Sequence, residues 1–63
     1  CSSDLDIKDK VLDVLNNSDE PLKGGQIAEI SGLDKKDVDK AIKVLKSEEK
    51  IISPKRCFYA ANK

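Results

Sequence analysis

Residues 21–45 read PLKGGQIAEISGLDKKDVDKAIKVL, and this stretch decides the fold. Gly24-Gly25 opens a short helical pattern, and Gly32 suits the left-handed conformation that ends a helix. The first pattern has three apolar residues at helical spacing: Ile27, Ala28 and Ile30. The second has four, which predict a buried stripe: Val38, Ala41, Ile42 and Leu45. Two short helices joined by a tight glycine-containing turn are therefore expected.

The second of these helices has a clear start signal. Asp34 is well placed as its N-cap, and Asp37 follows three residues later as an acidic variant of the capping box. Both acids also lie at the positive end of the helix dipole.

An amphipathic helix is predicted upstream, over about residues 5–16. Its apolar stripe, widened by Leu12, consists of Ile7, Val11, Val14 and Leu15. Turn-forming residues and Pro21 end this helix and leave room at Leu22 for only a very short extended segment.

The C-terminal part predicts a β-hairpin. Residues 50–53 form a β-like run, residues 54–56 make the tip, and residues 57–60 return as a second strand. The order helix, short strand, helix, helix, hairpin is that of a winged helix, an α+β fold with three helices and a small antiparallel wing. We expect one such domain over residues 5–60, a disordered tail over 1–4 and a frayed tail over 61–63. The first helix, Ile27 and Ile30, the stripe of the third helix and one hairpin face should enclose the core.

The charges of the chain are balanced but unevenly distributed. Twelve basic and twelve acidic residues give a net charge of zero. Residues 1–31 hold seven acids and three lysines, hence −4, whereas residues 32–63 hold nine bases and five acids, hence +4. A chain of 63 residues makes one small domain without room for a deep active-site cleft.

The two cysteines, Cys1 and Cys57, have no metal-ligand spacing, and the chain has no histidine. We expect no metal or cofactor, no Cys1–Cys57 disulfide, and a cytoplasmic protein with no membrane-spanning segment. A start at Cys1-Ser2-Ser3 is also typical of a mature lipoprotein, which is the alternative. Catalysis is not expected, since no nucleophile has a suitable base at an identifiable spacing.

The third helix and the hairpin carry the candidate binding residues. Base-reading candidates are Lys35, Lys36, Asp39 and Lys40, and candidates for phosphate contact are Lys43, Lys23, Lys55 and Arg56. A lysine-rich helix face is also often just a solvated face. Asp39 has a plain structural alternative as an intrahelical ion pair with Lys35 or Lys43, which we favour.

Three wing residues leave alternatives open. Phe58 and Tyr59 should point to opposite faces of their strand, with one in the core. The positive neighbours of Cys57 would suit a reactive, redox-sensing thiol, but a half-buried structural cysteine is the preferred interpretation.

Residues 26–42 fit a pattern of regulatory helix-turn-helix proteins, apolar-Ala-x-x-(Ser/Thr)-Gly-apolar followed by the apolar positions of the next helix. From Ile7 to Ala60 the chain resembles the small winged-helix domains of prokaryotic transcriptional regulators of the MarR and ArsR kind, especially archaeal ones. The run KKDVDK at residues 35–40 is also similar to the third helix of Zα domains. It has Asp39 where those have asparagine and Lys43 where they have tyrosine, so this second resemblance implies a shared fold and not a shared ligand.

Together these features predict a winged-helix module that binds double-stranded DNA and regulates transcription. The alternative is a winged helix that binds protein, favoured by the zero net charge and by Asp39. A protein partner or a homodimer stays open, and neither a membrane nor a small-molecule ligand is expected.

Overall fold

The computed structural model describes residues 4–62. Its elements follow the order helix, strand, helix, helix, strand, strand. They are α1 (Asp4–Asn17), β1 (Leu22–Lys23), α2 (Gly24–Ser31), α3 (Lys35–Ser47), β2 (Ile51–Ile52) and β3 (Phe58–Ala61). Three helices with a small three-stranded antiparallel sheet have the layout of a winged helix, which confirms the predicted fold class. The hairpin of residues 51–61 is the wing.

Helix α1 packs on both other helices and on β3 through its apolar stripe. Val11 and Leu15 are fully buried, while Ile7, Leu12 and Val14 pack around them at the margin of the core. The helix begins at Asp4, so the predicted tail is wrong for this residue. Residues 1–3 of that tail lie outside the described residues.

Helix α2 ends as predicted but buries a different face. Gly32 adopts φ 76°, and its amide donates to the Ala28 carbonyl oxygen at 2.8 Å. Ile27 is buried, but Ile30, predicted to join it in the core, is 61% exposed. The buried side is centred between Ile27, Ala28 and Ser31, which places Ile30 about 100° away on the wheel. Ser31 tolerates this position because its hydroxyl donates to the Ile27 carbonyl oxygen at 2.7 Å.

Helix α3 begins after Asp34, which has the extended backbone of an N-cap. Its side chain makes no capping hydrogen bond, so the predicted capping box is not formed. At the other end Glu49 adopts φ 59°, and the Lys50 amide donates to the Leu45 carbonyl oxygen at 2.8 Å. All four residues of the predicted stripe are buried: Val38, Ala41, Ile42 and Leu45.

Strand β3 is the centre of the sheet, in the order β1-β3-β2. It pairs Leu22 with Tyr59 on one side and Ile51 with Ala61 on the other. Since alternate residues of a strand share a face, these four form the inner face of the sheet, where Ile51 is buried in the core.

Ala61 and Asn62 are held by hydrogen bonds rather than frayed. Ala61 belongs to β3, and the Asn62 amide donates to the Lys50 carbonyl oxygen at 3.0 Å. The Asn62 side chain donates to the Glu49 carbonyl oxygen at 2.8 Å. The predicted C-terminal tail is therefore wrong for Ala61, which belongs to β3, and for Asn62, which is hydrogen-bonded to the turn after α3. Lys63 lies outside the described residues.

Candidate nucleic-acid interface

A recess of about 650 Å³ lies where the start of α2, one side of α3 and the base of the wing meet. We call it the wing recess. Its lining consists of Lys23, Gly24, Gly25, Gln26, Glu29, Lys35, Asp39, Cys57 and Tyr59. It brings together three of the predicted binding residues, Lys23, Lys35 and Asp39, although they are up to sixteen positions apart in the chain.

Strand pairing fixes one wall of the wing recess. Lys23 pairs with Phe58 across the sheet, and its ammonium lies 5.6 Å from the centre of the Phe58 ring. The Lys23 amide donates to Oε1 of Gln26 at 3.3 Å, which joins the end of β1 to the first turn of α2. Lys23 is therefore held at the rim between the sheet and α2.

Asp39 lies against the beginning of α2. A Cβ atom at Gly24 would be 3.8 Å from Asp39 Oδ1 and 3.8 Å from Ile42 Cδ1, which is ordinary van der Waals contact. Among the described residues Asp39 forms neither an ion pair nor a hydrogen bond. The intrahelical pair with Lys35 or Lys43 is thus not present, and the carboxylate is open to the recess.

Three further lysines form a separate exposed surface on α3. At about 100° per residue, they lie within an arc of about 60° opposite the buried stripe. We call this set the lysine ridge: Lys36, Lys40 and Lys43. Lys40 also borders a groove of about 270 Å³ against α1, together with Lys8 and Asp37.

The wing tip presents the remaining two basic residues. Lys55 and Arg56 are exposed, and the turn is closed by the Ser53 hydroxyl and the Phe58 amide, which donate to the Lys55 carbonyl oxygen at 3.0 and 3.1 Å. All eight candidate residues are therefore accessible on the surface, but only three of them line the wing recess.

Cys57 differs from its predicted state. It is an exposed, free thiol rather than a half-buried one, and it adopts φ 67°. This left-handed conformation delays the start of β3 to Phe58, so Cys57 is not in the strand. Cys1, with which no disulfide was expected, lies outside the described residues.

The structure also settles the orientation of the two aromatic residues. Tyr59 packs against the core on the inner face, and Phe58 lies on the outer face beneath Lys23. Tyr59 additionally accepts a cation–π contact from Lys46, whose Nζ lies 5.9 Å from the ring centre.

Gln26, Glu29 and Tyr59 line the recess without having been predicted as site residues. Gln26 and Glu29 are three residues apart and so share one side of α2. The spacing of Gln26 and Glu29 is visible in the sequence, but no local sequence pattern shows that the wing lies across from this side of α2.

Within residues 4–62, no helix is long and apolar enough to cross a membrane. In the same range no group of three or more acidic or cysteine side chains is arranged to hold a metal ion. No family model matches the chain, and no curated protein matches it at a significant level.

Proposed function

We propose that this protein is a DNA-binding winged-helix module that acts in transcriptional regulation in the cytoplasm and is not an enzyme. α3 would enter the major groove of double-stranded DNA, and the wing would lie on the phosphate backbone. The observation that carries the proposal is the lysine ridge, three exposed cations directly opposite the buried stripe of α3.

The roles of the surface residues follow from their positions. The lysine ridge and the wing tip are cationic and exposed, which suits contacts to phosphate oxygens. Lys36 and Lys40, expected from the sequence to read bases, are therefore assigned here to phosphate contacts. The wing recess holds two lysines and two carboxylates, Glu29 and Asp39, so its formal charge is balanced. Such a surface suits the edge of a base better than a phosphate.

The second candidate function is binding to another protein. It is favoured by the same balanced charge of the recess and by Ile30, a large apolar side chain that is 61% exposed. A protein partner or a second copy of the chain would use the wing recess or the surface around Ile30 rather than the lysine ridge.

An NMR amide titration with a mixed-sequence DNA duplex tests the proposal. At low salt we expect shifts clustered on residues 35–43 and 54–57, which fade as salt is added. With the five phosphate contacts of the lysine ridge and the wing tip, a plot of the logarithm of the binding constant against the logarithm of the salt concentration should have a slope of about −4.5. An absence of shifts at low salt would exclude DNA as the ligand.

Charge-reversal variants test the surface itself. Lys40→Glu combined with Arg56→Glu should abolish DNA binding and leave the melting curve unchanged, since both side chains are exposed. Lys36→Glu should weaken binding, whereas Lys10→Glu, an equal charge change on an exposed position of α1, should have little effect at physiological salt. Equal losses in Lys36→Glu and Lys10→Glu would show that only net charge matters.

A further inference from the structure

Asp39 is an acceptor-only group in the wing recess, next to the cationic lysine ridge. Its carboxylate is exposed, lies against the first turn of α2 and has no ion-pair or hydrogen-bond partner among the described residues. Its full acceptor capacity is therefore available to a ligand in the wing recess.

The charges around Asp39 decide which part of a duplex can reach it. Lys23 and Lys35 line the same recess, but Glu29 and Asp39 balance them. The lysine ridge and the wing tip have no such balance, so phosphates are drawn there. A phosphate placed in the recess would meet two carboxylates, whereas a base edge that presents a hydrogen-bond donor would be attracted by them.

The pattern of hydrogen-bond donors and acceptors in the major groove then determines which base Asp39 can bind. Guanine presents two acceptors there, thymine an acceptor and a methyl group, and adenine a donor beside an acceptor. Cytosine alone presents a donor, its N4 amino group, without an adjacent acceptor. A carboxylate is attracted by the cytosine edge and repelled by acceptors on the other three.

From this arrangement we propose that Asp39 is a specificity-determining residue that selects a cytosine in the bound duplex and keeps phosphate out of the wing recess. The proposal rests on the proposed DNA-binding function and names the base that the site reads. It assigns the phosphate contacts to the lysine ridge and wing tip and the base contact to Asp39.

The variant Asp39→Asn gives a direct test. Asparagine both donates and accepts, which suits adenine N7 and N6 rather than cytosine. The matched control is Asp37→Asn, which removes one charge from the same helix but lies in the groove against α1, outside the recess. Melting curves of both variants establish that they are folded.

The measurement is the affinity of each protein for two duplexes of equal length, one built of G·C pairs and one of A·T pairs. The native protein and Asp37→Asn should prefer the G·C duplex by about tenfold. Asp39→Asn should bind more tightly overall and reverse the preference. If Asp39→Asn tightens both complexes equally, cytosine selection is wrong while DNA binding stands. If the native protein binds neither duplex, the proposed function itself fails.

Discussion

At the scale of single residues, Gly32 is a position whose backbone conformation strongly favours glycine. Its φ of 76° lies in the left-handed region, which costs a residue with a side chain about 1–2 kcal/mol. Gly32→Ala should therefore destabilise the domain by about 1 kcal/mol, measured by urea unfolding. Gly25→Ala is the control, since a Cβ there meets nothing within 4 Å, and should be neutral or stabilising by up to about 1 kcal/mol.

Cys57 has the same conformation without being glycine. Because its side chain is exposed, Cys57→Gly should remove left-handed strain without losing buried contacts and stabilise the domain by about 0.5–1 kcal/mol. Cys57→Val should destabilise it by more than about 1 kcal/mol, since a β-branched residue is poorly accommodated at positive φ. The two unfolding midpoints should move in opposite directions. Equal shifts would show that the turn relaxes.

Of these two left-handed conformations, only one could be predicted from the sequence. Gly32 was predictable because glycine is the usual residue of this helix end. Cys57 was not, since a cysteine between a basic tip and two aromatics fits the period of a strand. The prediction that Ile30 is buried failed for a related reason. Its spacing from Ile27 fits a helical stripe, but only the packing of α1 against α2 shows that the buried side of α2 lies toward Ser31.

At the scale of elements, α3 carries both the core and the lysine ridge, so its stability controls both. Leu45 is 2% exposed, and Leu45→Ala should cost about 2–5 kcal/mol, a large part of the roughly 3–9 kcal/mol expected for a chain of this length. Val44→Ala, at a position 40% exposed, should cost less than about 1 kcal/mol. Thermal unfolding of both variants measures the difference, and similar losses would contradict the assigned stripe.

The order of the helices and the hairpin followed from periodicity and turn residues, but the limits of the sheet did not. Strands of two and four residues give too little pattern to fix their ends. The pairing of Ala61 with Ile51 and the hydrogen bonds of Asn62 to the turn after α3 depend on tertiary structure. For the same reason the candidate lysines were visible in the sequence, whereas the recess between α2 and the wing was not.

For the whole molecule, the charge separation seen in the sequence becomes a separation in space. α1 and α3 turn their apolar stripes inward, so the exposed acids of α1, including Asp9 and Asp13, face away from the lysine ridge. The molecule measures 32 × 23 × 19 Å. In the proposed complex, with the lysine ridge on the duplex, the acidic side would lie on the far side of the domain, where salt screening with a Debye length of about 8 Å at physiological salt weakens its effect.

Asp9→Lys combined with Asp13→Lys should therefore tighten DNA binding severalfold at 10 mM salt, where the Debye length is about 30 Å, and leave it unchanged at 150 mM. Glu29→Lys, inside the wing recess, should keep its effect at both salt concentrations. Fluorescence anisotropy with one duplex provides the comparison. A persistent effect of the α1 variant at 150 mM would mean that α1 touches the ligand.

The central position of β3 has a consequence for the cost of binding. One four-residue strand is hydrogen-bonded to β1, which leads into α2, and to β2, which follows α3. The start of α2 cannot move away from the base of the wing without breaking the backbone pairing of β1 with β3. The recess is therefore pre-organised, and the protein loses little conformational entropy when a ligand binds there. Even a small contact area can then give measurable affinity.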